Sequence, residues 1–248
     1  MPPLRAVIFD LWNTLIADPP DTIDRRDEIR LAGLSRVLEV HGLPHRAEAV
    51  SDACRAMREE MAARHARGRD LSLEKRVTFL LSKLSPRAPS SPALLAEAMD
   101  VFVEAARTLL PSACPGALDG LRAVRGSGLR IGLISNTGQT PGRGLRPVLE
   151  AHGFLPHFDA LTFSDEVGLA KPAPSIYRRT LAALGVRPSA TAFVGDDPEL
   201  DVAGPLRLGM WTVQVGERES DGMRPHARIG RLDELSEALK SLRLLDGS

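Results

Sequence analysis

Short apolar runs rich in β-branched residues recur at 4–9, 129–134, 160–163, 192–194 and 211–215, and most run into Asp, Ser or Gly. Runs of that length, bounded by turn formers, suit buried strands rather than helices. From residue 129 onward they alternate with helical patterns at 144–152, 175–184, 200–208 and 232–242. In the last of these, Leu232, Leu235, Leu239 and Leu242 make one apolar stripe. Strands that alternate with helices predict an α/β fold, a parallel sheet covered by helices on both faces.

The first run breaks this rhythm. More than a hundred residues with almost no strand pattern separate it from the run at 129. Helical stretches are expected near 22–41, 46–67, 72–84 and 93–109, with Leu31, Leu34, Val37 and Leu38 on one face and Phe79, Leu80 and Leu84 on another. Pro19-Pro20, the proline-flanked run at 86–92 and the segment 111–115 punctuate them. Residues 17–112 therefore read as a helical insertion, with 1–16 and 113–248 forming the α/β core. The Arg- and Ala-rich stretch 55–69 reads as a solvated helix face.

Composition narrows the function classes. The 248 residues are 43% hydrophobic and 26% charged, and 32 Lys+Arg balance 32 Asp+Glu to a net charge of +0. No global field is available to hold nucleic acid or an anionic membrane. Nothing approaches a membrane span or a secretory leader, and Cys54 and Cys114 lack metal-site spacing. A soluble cytoplasmic protein that acts on a small molecule is the expectation. The oligomeric state is left open, a homodimer included.

The candidate chemistry stands where strands end, which is where ligands bind in open parallel sheets. Asp10 closes the first run and is followed by Trp12, Asn13 and Thr14; Ser135-Asn136-Thr137 follow the run at 129–134. Asp165, Glu166, Gly168 and Lys171-Pro172 come after the third, and Asp196, Asp197 and Asp201 after the fourth. Each group alone is ordinary cap or turn chemistry. Their order and spacing are not.

The segments FDLWNT, LISNT, GLAKPAPSIY and VGDDPELD resemble, in this order, the motifs of the haloacid dehalogenase superfamily, and the likeness runs through essentially the whole chain. The resemblance implies a Rossmann-like core and a helical cap in the insertion. It implies Asp10 as nucleophile with Thr14 supporting it, and Ser135 and Lys171 binding the transferred group with help from Asn136. Asp196, Asp197 and Asp201 would form the acidic cluster. Mg2+ would be held by Asp10, the Trp12 carbonyl and Asp196, with Asp197 and Asp201 behind. Clustered carboxylates repel and raise one another's pKa values, a cost that a hard divalent cation relieves.

Trp12 departs from the pattern. Phosphatases of the family commonly carry Asp there, to protonate the leaving oxygen and activate water. Three readings follow. The first is a Mg2+-dependent phosphatase of a small phosphorylated metabolite, its acid supplied by His41 or His45, by water, or not needed for a stable leaving anion. The second is a 2-haloacid dehalogenase-like hydrolase. There an aromatic residue at Trp12 and a Tyr at position 177 fit the resemblance, Arg30 and Arg36 are imperfect candidates for the substrate carboxylate, and the acidic Asp196-Asp197 does not fit. The third is a non-catalytic binder of a phosphorylated ligand. Trp12 and Asn13 would line the substrate pocket in each case.

Overall fold

The computed structural model describes residues 3–85, 91–219 and 222–245. Its main sheet has six strands: β1 (Ala6–Phe9), β4 (Arg130–Ser135), β5 (Ala160–Phe163), β6 (Thr191–Gly195), β7 (Trp211–Val215) and β8 (Ala227–Ile229). The strand order is β5-β4-β1-β6-β7-β8 and every neighbouring pair is parallel. A separate two-stranded ribbon joins β2 (Ile16–Ala17) to β3 (Ser112–Ala113), antiparallel.

Alternation along β1 explains the layering. Val7 and Phe9 belong to one apolar core, while Ala6 and Ile8 face the other, as a strand buried on both sides requires. The first core packs against α5 (Ala117–Gly126), α6 (Gly142–Ala151) and α10 (Leu235–Leu245). The second is filled from α8 (Pro174–Leu184), through Ile176, Tyr177, Leu181 and Leu184. The stripe Leu232, Leu235, Leu239 and Leu242 is buried as expected.

The insertion forms α1 (Thr22–Val40), α2 (Ala47–His65), α3 (Leu73–Leu84) and α4 (Pro92–Thr108) around a core of its own. Leu34 and Leu38 are buried there, with Leu31 and Val37 packed alongside, so the expected face is the one that packs. The break expected at 86–92 lies largely outside the described residues, since 86–90 are not among them. Ser91 caps α4 and Pro92 opens it, the position where a missing N–H costs nothing. Arg55 and Arg58 on α2 remain exposed, while Met57 and Met61 on the same helix are buried.

Several segments differ from the sequence reading. The helix expected at 200–208 is a π-helical turn, Pro198–Ala203, followed by the single turn α9 (Gly204–Leu206). Asp201 sits in that widened turn, a form that recurs at functional sites. Strands β2, β3 and β8 span only two or three residues, too few for a period to show, while α5 lies outside the expected helices although Ala117, Leu121 and Val124 recur at helical spacing. The short helix α7 (Ser164–Val167) follows β5 directly. Cys54 and Cys114 are free thiols, and no helix among the described residues is long and apolar enough to cross a membrane.

Charge and backbone join the insertion to the core. Asp70 N donates to Gly168 O at 3.2 Å and Ala170 N to Gly68 O at 3.1 Å, just before Lys171. The Arg76 guanidinium, 1% exposed, donates to Asp70 Oδ2 at 2.6 Å, Thr137 Oγ1 at 2.8 Å, Gly138 O at 2.6 Å and Leu71 O at 2.8 Å. Asp70 Oδ2 also accepts from Ser164 Oγ at 2.5 Å and lies 2.8 Å from His65 Nε2. Burial works to raise the Asp70 pKa, but His65, Arg76 and Ser164 outweigh it and hold the carboxyl below its ordinary range.

Candidate active site

Strand β1 pairs Phe9 with Leu133 on one side and Val194 on the other, so Asp10 emerges between the ends of β4 and β6. Its backbone N–H is held by Val194 O at 2.9 Å. The chain then turns tightly: Leu15 and Ile16 both donate to Leu11 O, and Asn13 adopts φ 57, a left-handed conformation that Asn tolerates. The turn returns Thr14 beneath Asp10, where Thr14 Oγ1 donates to Asp10 Oδ2 at 3.2 Å.

Lys171 is buried between two carboxylates, with Nζ 2.6 Å from Asp10 Oδ1 and 2.6 Å from Asp201 Oδ1. Burial alone would lower its pKa, but the facing Asp10 and Asp201 overcome this and push it upward. Gly195 lets Asp201 come this close, because a Cβ there would collide with the Asp201 carboxyl group. Asp201 Oδ2 accepts from Asp197 N at 3.0 Å. Its pKa is nonetheless pushed up to about 7, since desolvation and the neighbouring Asp10 outweigh the help of Lys171. Burial and Asp10 also raise Asp196, against the opposing guanidinium of Arg218, whose Nη1 lies 2.9 Å from Asp196 Oδ2.

Oxygens of Asp10, Asp196 and Asp201 lie within 4.8 Å of one another. They open on a cavity of about 160 Å³ that Trp12, Asn13, Asn136, Lys171, Asp197 and Arg218 also line. Asp197 serves locally as a cap, its Oδ1 accepting from Glu199 N and Leu200 N at 2.9 Å each. Asn136 ties two loops together: its Nδ2 donates to Lys171 O at 2.9 Å, and Lys171 N donates to its Oδ1 at 2.8 Å. Asn136 therefore orients Lys171. Ser135 does not line the cavity; its Oγ is buried and has no hydrogen-bond partner among the described residues.

Other expected residues fall elsewhere. His41 stands against Glu97 and His45 against Leu43 O, and neither lines the cavity beside Asp10. Arg36 is exposed, whereas Arg30 lines an adjoining cavity of about 390 Å³ together with Trp12, Asn13 and Asn136. Tyr177 is fully buried and donates to Leu200 O, so its hydroxyl does not reach the cavity. Arg218, Arg76 and Asp70 were not legible as site residues. Their partners lie 22, 61 and 94 positions away (Asp196, Thr137 and Ser164), and no local spacing signals such contacts.

A family profile described as haloacid dehalogenase-like hydrolase matches residues 4–209. The chain belongs to that family. Over 124 residues it is 39% identical to a phosphoserine phosphatase of Thermus thermophilus, covering 48% of this chain and 49% of that protein. Over 212 residues it is 31% identical to a ribulose-1,5-bisphosphate 5-phosphatase of Halopiger xanaduensis, covering 84% of this chain and 83% of the relative. The chain spans about half the length of the phosphoserine phosphatase and of several other curated relatives it matches. Among solved structures it is similar to a 2-haloacid dehalogenase from Pseudomonas syringae pv. tomato, with a TM-score of 0.71 and 21% identity over 96% of this chain and 99% of that one. At that identity the likeness is one of fold. The family is one of hydrolases, and several relatives of the chain carry phosphatase names.

Proposed function

We propose that this hydrolase is a Mg2+-dependent phosphatase of a small phosphorylated metabolite, with Asp10 carrying the phosphoryl group. The observation behind this reading is the trio of buried carboxylates Asp10, Asp196 and Asp201. Lys171 compensates Asp10 and Asp201, and the exposed Arg218 faces Asp196. Burial and mutual repulsion raise both Asp196 and Asp201, so the ionised trio lacks positive charge. A hard, all-oxygen donor set of this kind fits Mg2+. Asp10, Asp196 and the Trp12 carbonyl would hold the ion, with Asp201 on the Lys171 side, and the ion would neutralise charge on the phosphoryl oxygens.

Thr14 and Lys171 hold the two oxygens of Asp10 and so fix the carboxylate for attack. An Asp10 oxygen bonds to phosphorus as the ester oxygen departs with its electron pair. Water then attacks the phosphorus of the aspartyl phosphate, which frees Asp10 and inorganic phosphate. Trp12 cannot protonate the departing oxygen, so leaving groups that are stable as anions react fastest. On this reading residues 17–112 are the cap, the core is 1–16 with 113–248, and the cap excludes water when closed over Asp10.

The test is phosphate release from acetyl phosphate and p-nitrophenyl phosphate, with and without Mg2+, by the wild type and by Asp10→Asn. Release that requires both Mg2+ and Asp10 is expected. Metal-independent halide release from 2-chloropropionate, without phosphate release, would replace this reading with the dehalogenase-like one, which the aromatic Trp12 favours.

A further inference from the structure

We infer that, whichever reaction Asp10 performs, the insertion stays docked on the core throughout turnover and the segment 19–24 lifts as a strap to admit substrate. Two attachments besides the covalent linkers hold the insertion. The first is backbone to backbone. Arg69 and Leu169 form an antiparallel bridge, flanked by Asp70 N on Gly168 O at 3.2 Å and Ala170 N on Gly68 O at 3.1 Å. Behind it, Ser164 Oγ donates to Asp70 Oδ2 at 2.5 Å and Arg76 Nη1 to Gly138 O at 2.6 Å. Asp70, Arg76, Thr137 and Ser164 are all buried, and in so dry a seam hydrogen bonds are electrostatically stronger than in water.

The second attachment is helix to helix. Gly144 of α6 meets α4 so closely that a Cβ there would lie 3.1 Å from Val103 O. Ala106 of α4 belongs to the same apolar core as Leu145 and Leu149 of α6, whereas Phe102 and Val103 belong to the core of the insertion. Helix α4 is thus built into both bodies. Asp100 adds an exposed ion pair with Arg143 at 2.5 Å. A rigid swing of the insertion about its linkers breaks at least one of the two attachments.

The strap lacks such support. Arg26 ties down its two ends: the guanidinium meets Asp18 at 3.0 and 2.6 Å, and it also donates to Leu109 O at 3.2 and 3.0 Å, where the chain leaves the insertion. Between Asp18 and Arg26 the chain is loosely held. Asp21 precedes α1 at φ 63, a conformation uncommon outside glycine, and its side chain makes no cap bond. The N–H groups of Ile23 and Asp24 have no hydrogen bond among the described residues. A first turn without a cap frays at little cost.

The strap also stands in the right place. Ile23, 58% exposed, lines the cavity of about 390 Å³ together with Asp18 and Trp12. That cavity shares Trp12, Asn13 and Asn136 with the one at Asp10, so a ligand that passes beneath the strap reaches the carboxylate. Fraying of the first turn of α1 widens this entrance while Arg26 keeps both ends of the strap in position and the insertion remains seated.

The experiment staples the insertion to the core. In an antiparallel pair whose flanking residues carry the hydrogen bonds, the Cα atoms stand about 4.5 Å apart, within reach of a disulfide. Arg69→Cys/Leu169→Cys is therefore assayed oxidised and reduced on one preparation, the staple being located by peptide mapping because Cys54 and Cys114 are also thiols. The substrate is p-nitrophenyl phosphate with Mg2+, or 2-chloropropionate if the wild type releases only halide. A kcat/KM that agrees within about twofold between the two forms is expected; a fall of more than about tenfold on oxidation, reversed by reduction, would overturn the docked insertion. Hydrogen exchange on the wild type decides the matter without catalysis or staple. The amides of Asp70 and Ala170, bonded across the seam, should exchange only through global unfolding, and those of Thr22 and Arg25 at least about 100-fold faster relative to their intrinsic rates. Seam amides that exchange at the rate of the strap overturn the docked insertion, and a strap as protected as the seam overturns the entrance.

Discussion

Replacing Arg76 with Met removes a cation that stands between the insertion and the loop after β4. Arg76 is 1% exposed and the Asp70 side chain 0% exposed, so no water replaces the lost partner. Leu71 O and Gly138 O lose their donors, and Asp70 is left with Leu71 N on Oδ1, Ser164 Oγ, the more distant Thr137 Oγ1 and the neighbouring His65, none of them a fixed cation like Arg76. Breaking one side of a buried ion pair costs about 3–5 kcal/mol. In a domain of this size each kcal/mol shifts Tm by about 2–4 °C, so a fall of about 6–20 °C is expected. The double variant Asp70→Asn/Arg76→Met should lose less than the two single losses added, because the stranded charge is gone. Calorimetric melting of the four proteins measures both quantities. A loss below about 1 kcal/mol, the range of exposed pairs, would refute the argument. The pH dependence adds a second check. The folded Asp70 pKa is depressed, so its contribution is complete above the unfolded value of about 3.9 and is lost as pH falls through the folded one. With Arg76 gone, one of the opposing influences on burial is removed and this acid limb moves to higher pH.

Two further expectations concern the metal and the missing acid. Trp12→Asp places a titratable group two residues from Asp10, and should raise the rate on alkyl phosphates relative to p-nitrophenyl phosphate by up to about 10²–10⁴; an unmoved ratio would show that this position does not limit proton transfer. Arg218 lies 2.9 Å from Asp196 Oδ2 and 3.4 Å from Asp197 Oδ2, with its side chain 59% exposed. Arg218→Gln should therefore tighten Mg2+ binding, measured by calorimetry, by up to about fivefold, the value of an exposed pair. Weaker binding would mean that the guanidinium assists the ion rather than competing with it.

The sequence alone determined the elements whose signal is local. Strand β1, the stripe Leu232-Leu235-Leu239-Leu242 and the Leu34–Leu38 face of α1 follow from the periodicity of apolar residues, because a strand or helix buries one face whatever lies opposite. The grouping of the candidate site residues round one cavity was legible too. A parallel sheet must deliver its strand ends to one edge, and Asp10, Asn136 and Asp196 lie just beyond such ends, with Lys171 in the loop past the short helix α7 that follows β5. Tertiary structure decided the rest. Ser135 and Asn136 are adjacent and equally polar in sequence, yet the first is wholly buried and the second lines the cavity. Arg30 and Arg36 sit on one helix, but six positions turn a helix by about 240°, so only one reaches the cavity and the other meets solvent. The Asp70–Arg76–Ser164 contacts join residues up to 94 positions apart, and no spacing rule foretells them. Local periodicity records which face a residue occupies; only packing of insertion against core decides what that face meets.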